Sequence, residues 1–532
     1  MAGIPSTWRP GRRYAGASVA AIVAILIAAL LIALWVAGQR FATTGSSVTG
    51  IGYLLVTSAI QAALSTLLSI LAGVALAWTL DRLRFAGRGI VIGLLSTALV
   101  MPSLVIVSGL LAIWGRNGWV NFALAPFGLE TGSSIFGLGG IIAAHVVLNG
   151  AFSARIFIDR LAAIPSEKLK LGRSLGLGPV KRFAIIDFPA LAASIPGVAA
   201  TIFLLCFTSF PIVLTLGGGP ANQTLEVAIY QAVRLDFDLG AAVNLAIVQL
   251  IVCAAIIIPA STLSPAASLF GAQSHIHWPE RAVLTGIQRI VLAALLAGFL
   301  TPLIAVLGEG FGAVSNVLTQ AAFWRAAFTS LVIGTLSALL AVGLGLALGM
   351  ARALQAKGSP WRAVLGLPVF AYLAVPAVVL SLGFFLLARL AGLPPTAAAP
   401  PVLVLANALL ALPFVFATIA PPLEALTLRH HRVIRSLGIS SFSQWSRIEW
   451  PLLGRPIGYA LAVAFVFSLG DLGVISLFGT SEFSTLPWLM YRALGAYRTN
   501  DAEAIAAVLL IVSIAAFILI PKLFEKLTHA RD

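Results

Sequence analysis

Residues 173–189 read RSLGLGPVKRFAIIDFP, and residues 435–451 read RSLGISSFSQWSRIEWP. The glycine at the fourth position, the isoleucine ten residues later and the final proline are each displaced by 262 residues between the two copies. Both copies carry basic residues, and long apolar segments flank both of them. A constant offset across a polar loop predicts two repeated halves that present the same loop to the same side of a membrane.

The composition places the rest of the chain in a lipid bilayer. Of its 532 residues, 60% are hydrophobic and 10% are charged, and the mean hydropathy is +1.03. A soluble globular domain carries about 25% charged residues. Long continuous apolar runs are typical of spanning helices, whereas a β-barrel gives short alternating segments. We therefore predict an all-α polytopic membrane protein.

Twelve apolar segments are long enough to cross a bilayer, for which a helix needs about 20 residues. The first is too long for the core of a signal peptide, so we predict that it is an uncleaved anchor. The predicted spans are residues 14–37, 52–80, 90–114, 137–158, 191–215, 240–260, 286–307, 326–350, 363–388, 399–420, 456–478 and 502–521.

The basic residues predict the orientation. With these spans, 26 of the 33 Lys and Arg residues lie on the side that carries the two repeated loops. By the positive-inside rule this side is the cytoplasm, and both termini lie there. The net charge of +15 is then a topology signal, and we predict no nucleic-acid partner because no soluble basic domain is present.

The two halves align beyond the loops. Ser58 and Ser330 lie near the start of equivalent spans, and Pro102 and Pro376 lie early in the spans that follow. We predict parallel repeats of six spans each. The predicted units are a first repeat at 1–260 with its loop at 159–190, a cytoplasmic linker at 261–286, and a second repeat at 287–532 with its loop at 421–454.

Each loop is predicted to form a short helix, a turn and a second helix that returns to the membrane. Gly176 and Gly438 suit a helix end that needs a left-handed residue, and Pro189 and Pro451 suit the first turn of the next helix. A simple connection needs only a handful of residues. The extra length, present twice, indicates a docking surface.

The pattern of Gly, nine residues and Ile-x-hydrophobic-Pro resembles the EAA loop of ABC-importer permeases, which sits in a cleft of the ATPase subunit. Two such loops in one chain resemble the fused permeases of the ferric-iron and thiamine branch. LTLGGGP at 214–220 and FSLGDLG at 467–473, which follow the two loops, are most similar to thiamine permeases. The resemblance covers essentially the whole chain and implies the type I ABC-importer permease fold.

This resemblance implies the permease subunit of an ATP-driven importer for thiamine and its phosphate esters in the bacterial inner membrane. A periplasmic thiamine-binding protein would deliver the substrate, and two copies of an ABC ATPase subunit would bind ATP. The chain itself has no G-x-x-x-x-G-K-[ST] sequence to hold nucleotide phosphates, and no H-E-x-x-H or nucleophile-elbow sequence. We therefore predict neither a bound cofactor nor a metal site nor an enzymatic activity.

Eight residues carry the implied ATPase coupling. Lys170 and Arg432 lie six residues before the two glycines, where the family has a glutamate, so the resemblance implies no carboxylate contact to the ATPase there. The coupling residues are Lys170, Gly176, Ile186 and Pro189 in the first loop, and Arg432, Gly438, Ile448 and Pro451 in the second.

Asp471 is the candidate residue of the substrate path. It lies inside a predicted span, where a carboxylate facing lipid would cost several kcal/mol, so it must face protein or water. Thiamine carries a permanent positive charge, and a carboxylate on the path would lower the barrier to its entry. The alternative is a structural role, with Asp471 bonded to backbone or hydroxyl groups of a neighbouring helix.

Two other functions stay open at this point. A ferric-iron importer belongs to the same class and differs only in its substrate. An ion-coupled secondary transporter would need charged residues near the bilayer midplane. Asp471 has no basic partner within the predicted spans, so the sequence gives the second alternative little support.

The topology prediction is tested by cysteine labelling in intact cells with a membrane-impermeant reagent. In a parent with Cys206 and Cys253 replaced, a cysteine at Ser133 should be labelled, because residues 115–139 are predicted to be external. A cysteine at Ser359 should be labelled only after the cells are opened. The reverse pattern would overturn the orientation and the cytoplasmic placement of both loops.

Overall fold

The computed structural model describes residues 9–41, 50–98, 101–129, 135–260, 282–356 and 358–529. Most of the predicted linker, and Ser133 in the predicted external segment, lie outside the described residues. The regular structure in the described part of the chain is helical. The prediction of an all-α polytopic membrane protein is confirmed.

The part of the chain up to residue 260 forms the first set of helices. They are α1 (Pro10–Phe41), α2 (Ile51–Arg82), α3 (Arg88–Thr97), α4 (Ser103–Trp114), α5 (Trp119–Leu124), α6 (Leu138–Ala162), α7 (Ser166–Ser174), α8 (Pro179–Arg182), α9 (Phe188–Ala192), α10 (Ile195–Phe207), α11 (Phe210–Leu216), α12 (Leu225–Arg234) and α13 (Leu239–Ala260).

The part from residue 282 onward forms the second set. They are α14 (Ala282–Leu318), α15 (Ala321–Ala353), α16 (Pro360–Ala371), α17 (Ala377–Leu390), α18 (Pro395–Ser436), α19 (Ser441–Gln444), α20 (Trp450–Leu469), α21 (Ile475–Phe478), α22 (Leu486–Gly495) and α23 (Thr499–His529).

Ten helical segments in the described residues are long and apolar enough to cross a membrane, and an eleventh is a pair of helices bent by 55°. The sequence predicts twelve continuous spans. Of these, 363–388 contains only a shorter apolar helix, 191–215 belongs to the bent pair, and 90–114 is replaced by a span at Ser103–Phe127. The predicted spans 90–114 and 363–388 are interrupted before Pro102 and Pro376. A proline disfavours the helical conformation of the residue before it and donates no backbone hydrogen bond, so an apolar run continues while the helix stops.

The first helix of each half reaches across to the other half. Helix α1 packs against α15, α16 and α17 as well as α13, and α14 packs against α2 and α4 as well as α23. Within the halves, α2 lies along α6 and α15 lies along α18. These two pairs meet at small residues: a Cβ on Gly73 would lie 2.0 Å from Ser153 Oγ, and one on Gly345 would lie 2.7 Å from Val415 Cγ1. Such close approach stabilises helix pairs where lipid provides no hydrophobic drive.

Candidate functional site

The two repeated loops have the same backbone from the glycine to the proline, but the short helix predicted before the glycine is separate only in the first loop. In the first half α7 ends before Gly176, whose φ is +63°, and in the second half α18 continues into the loop and ends before Gly438, whose φ is +61°. The Leu177 N–H donates to the Gly172 carbonyl at 3.1 Å, and an equivalent bond of 3.1 Å closes the second loop. Both ends are Schellman motifs, which need a left-handed residue at the glycine position. The predicted helix ends at these two glycines are confirmed.

The returning helix of each loop contains a wider turn. It begins with α8 in the first loop and with α19 in the second, and continues through π-helical turns at Phe183–Asp187 and Trp445–Glu449. Pro189 and Pro451 follow as the second residues of α9 and α20. The returning helices therefore start ten residues before the prolines. A π-helical turn accommodates the proline ring, which would otherwise press on the carbonyl four residues earlier.

Each loop exposes three large apolar side chains at matching positions. Leu175 and Leu437 are both 68% exposed, and Val180 and Phe442 are 82% and 79% exposed. Exposed apolar side chains that cluster in this way indicate a protein contact surface. The three pairs, which we call the apolar triplets, are Leu171 with Val433, Leu175 with Leu437, and Val180 with Phe442.

The other predicted coupling residues divide into exposed and anchoring ones. Lys170 and Arg432 are exposed next to the apolar triplets, whereas Ile186 and Ile448 are half-buried. Ile186 packs against the core of the protein. Glu167 lies in the first turn of α7, where bonds from its own backbone N–H and from Ser166, together with the charge of Lys170, hold the pKa of its carboxyl below the ordinary value.

A buried acid supports each loop, and neither acid was predicted from the sequence. Asp187 and Glu449 occupy the position between the isoleucine and the residue before the proline, and they are 1% and 0% exposed. Arg82 at the end of α2 pairs with Asp187. Arg12 Nη1 donates to Glu449 Oε1 at 2.7 Å. A buried carboxylate requires such a counter-charge. The sequence feature that could have predicted these two residues is an acid at the same position in both copies of the loop.

The N-terminus of α1 holds the second loop through several bonds, which we call the N-terminal clamp. Arg12 also donates to the Ser441 carbonyl at 3.3 Å, and Arg9 Nε donates to Gln444 Oε1 at 3.1 Å. Gln444 Nε2 in turn donates to Glu449 Oε1 at 2.7 Å. The second loop is therefore held by a helix from the first half, whereas the first loop is held by α2 of its own half.

A cavity of about 260 Å³ lies between the two halves, and four helix breaks form its wall. They are the breaks between α3 and α4, α10 and α11, α16 and α17, and α20 and α21. Non-helical backbone is tolerated at membrane depth where it lines a cavity, and discontinuous helices at a repeat interface are typical of transporter substrate sites.

Asp471 lines this cavity at the break between α20 and α21. Its Oδ1 accepts from the Val474 N–H at 3.2 Å, and its Oδ2 accepts from the Ile475 N–H at 3.3 Å. In the described part of the chain no Arg or Lys forms an ion pair with it. Asp471 therefore caps the start of α21 and presents a half-buried carboxylate to the cavity, and its place on a substrate path stays a prediction.

Comparison with known proteins identifies relatives along nearly the full length. No family model matches the chain. It is 37% identical over 511 residues to the thiamine transport system permease protein ThiP of Escherichia coli (strain K12), which covers 94% of each chain. It is 38% identical over 472 residues to ThiP of Salmonella typhimurium, covering 87% of each chain. It is 35% identical over 461 residues to ThiP of Haemophilus influenzae, covering 85% of each. The chain therefore belongs to the family of thiamine transport system permease proteins.

Proposed function

We propose that this chain is the membrane permease of an ATP-driven importer that takes up thiamine and its phosphate esters. The observation that carries the proposal is the identity of 37% with the Escherichia coli thiamine permease over 94% of both chains. The two matching loops support coupling to an ATPase. A ferric-iron importer would share the loops, but the names of the relatives favour thiamine.

We place one ATPase subunit on each loop, where it would bind ATP and hydrolyse it. The apolar triplets supply two similar contact surfaces at matching positions, with Lys170 and Arg432 beside them. The buried Asp187 and Glu449 keep the returning helices fixed to the spans, so that movement of a docked subunit would reach the membrane part. Both loops and both termini then face the cytoplasm, and a periplasmic thiamine-binding protein meets the opposite face of the inner membrane.

The helix that leaves each loop leads to the cavity. Helix α20 runs from Trp450 at the second loop to Leu469, two residues before Asp471, over about 30 Å. A shift of the loop would therefore move one wall of the cavity as a rigid body. We place Asp471 on the substrate path, where its carboxylate lowers the barrier to entry of a cation.

The proposed function is tested by reconstituting the chain with its ATPase and its binding protein in proteoliposomes. Labelled thiamine should accumulate only when ATP is supplied on the ATPase side, because hydrolysis drives the conformational change. Ferric iron should not accumulate. Accumulation of iron in place of thiamine would contradict the assignment of thiamine as the substrate. Thiamine uptake driven by an ion gradient without ATP would contradict the ATP-driven mechanism.

Docking on the loops is tested by replacing Gly176 and Gly438 together with Val. Nothing lies within 4 Å of a Cβ at either glycine, so the effect comes from the positive φ, which costs a β-branched residue about 1–3 kcal/mol. The variant should insert but recover less ATPase on co-purification. Gly178→Val is the matched control, because this glycine in the same loop has a φ of −68° and equally open surroundings. Equal recovery from all three proteins would contradict the docking assignment.

The role of Asp471 is tested by comparing Asp471→Asn with Asp471→Leu. Asn keeps the shape and an acceptor for the α21 backbone but removes the charge, so we expect normal ATPase recovery with thiamine uptake lowered about tenfold, equivalent to 1.4 kcal/mol. Leu removes the cap as well and should also lower the thermal stability. Wild-type uptake by the Asn variant would leave Asp471 with a structural role only.

A further inference from the structure

Two residues that line the cavity between the halves each have a buried polar atom without a hydrogen-bond partner in the protein. One atom is Nε2 of His145 on α6, in the first half, and the other is the hydroxyl oxygen of Tyr372, between α16 and α17 in the second half. Both residues are only 2% exposed. A buried polar atom left without a partner costs about 1–3 kcal/mol. The two atoms are therefore candidate partners for a ligand that contacts both halves.

The orientation of His145 is set by α2. Its Nδ1 lies 2.9 Å from Gln61 Nε2 and 3.0 Å from Ser65 Oγ, and with the Gln61 amide in this orientation the amide N–H donates to Nδ1. A neutral imidazole whose Nδ1 accepts carries its proton on Nε2. The remaining ring nitrogen of His145, Nε2, is therefore an N–H donor on a ring that two side chains of the neighbouring span hold in one position.

The rest of the cavity wall suits a flat cation. Phe210, Phe414 and Phe467 line it, and aromatic faces attract positive charge. Asp471 is the one carboxylate among the lining residues of the described chain, and no Arg or Lys is among them. A phosphate group would find no counter-charge here, whereas a heteroaromatic cation would find a carboxylate, aromatic faces and two hydrogen-bonding groups.

We propose that this cavity is a transient binding site for the heteroaromatic cation of the substrate. His145 and Tyr372 bond its ring heteroatoms, Asp471 balances its charge, and phosphate groups of an esterified substrate lie outside the recognised part. The inference rests on the proposed function, because it names the part of the imported molecule that the permease binds. A volume of about 260 Å³ is near the lower limit of about 300 Å³ for small-molecule sites, so the ligand is small.

The experiment measures binding of labelled thiamine and thiamine monophosphate to the purified permease and ATPase complex without the binding protein. Tyr372→Phe removes only the hydroxyl, and His145→Asn keeps a polar atom near Nδ1 but removes the Nε2 donor. Each should weaken binding of both ligands by the same factor, about three- to tenfold, which is the value of one hydrogen bond. His145→Gln returns an amide near the Nε2 position and should recover part of the loss.

Ser513→Ala is the matched control. Ser513 on α23 is also buried with an unbonded hydroxyl, but it is not among the residues that line the cavity. This variant should bind both ligands as the wild type does. ATPase recovery and thermal stability are measured for every variant. If His145→Asn does not assemble with the ATPase, the binding measured for Tyr372→Phe, which is the smaller change, tests the site.

The outcomes separate this inference from the proposed function. If the wild-type importer transports thiamine with its binding protein while the complex alone binds none, or while Tyr372→Phe binds normally, the cavity site is rejected and the function stands. A loss of binding affinity that differs between thiamine and its monophosphate would show that the cavity contacts the phosphate, and this would also reject the proposed site. Absence of thiamine transport by the complete wild-type importer would reject the proposed function itself.

Discussion

Inside a bilayer no water satisfies a backbone N–H or carbonyl, and this constraint shapes the whole protein. The long apolar segments in the described part of the chain are helical, and side chains bind backbone N–H groups at three of the shorter helices. Ser58 Oγ accepts the Leu225 N–H at 3.1 Å, and Ser330 Oγ accepts the Leu486 N–H at 2.8 Å, so that the equivalent short helices α12 and α22 are each tied to a long span. Asp471 closes the break before α21. Polar side chains can therefore lie at the helix breaks, and several of those that line the cavity do so.

The sequence predicts the features that depend on one residue or on average polarity. An apolar run identifies a helix in lipid, and Gly176 has the predicted left-handed conformation because glycine adopts it without strain. An apolar run does not show where the helix within it is interrupted, because the residues on both sides of Pro376 are equally apolar. The roles of Asp187 and Glu449 depend on arginines 105 and 437 residues away, which only the folded chain brings close. The cavity likewise depends on contacts between halves.

The repeat is symmetric at the proposed ATPase contacts and asymmetric in the cavity that we propose as the substrate path. The two loops share the glycine conformation, the π-helical turn and the apolar triplets. In the cavity, the position 262 residues before Asp471 is Ser209, so only the second half contributes a carboxylate. Two identical subunits can dock on a duplicated surface, whereas a small molecule with distinct ends needs different groups on its two sides. In the proposed importer, the duplication supplies the scaffold and divergence within the cavity supplies selectivity.

The N-terminal clamp also sets the order in which the protein is completed. Arg12 is synthesised 437 residues before its partner Glu449, whereas Arg82 and Asp187 are 105 residues apart. The first loop can mature while the chain is still growing, but the second waits until α1 has docked on the other half. Until then Glu449 lacks its counter-charge, which destabilises a buried site by about 3–5 kcal/mol. A chain with a misplaced first helix would therefore display one finished loop and one unfinished loop, and assembly would distinguish it from a correctly inserted chain.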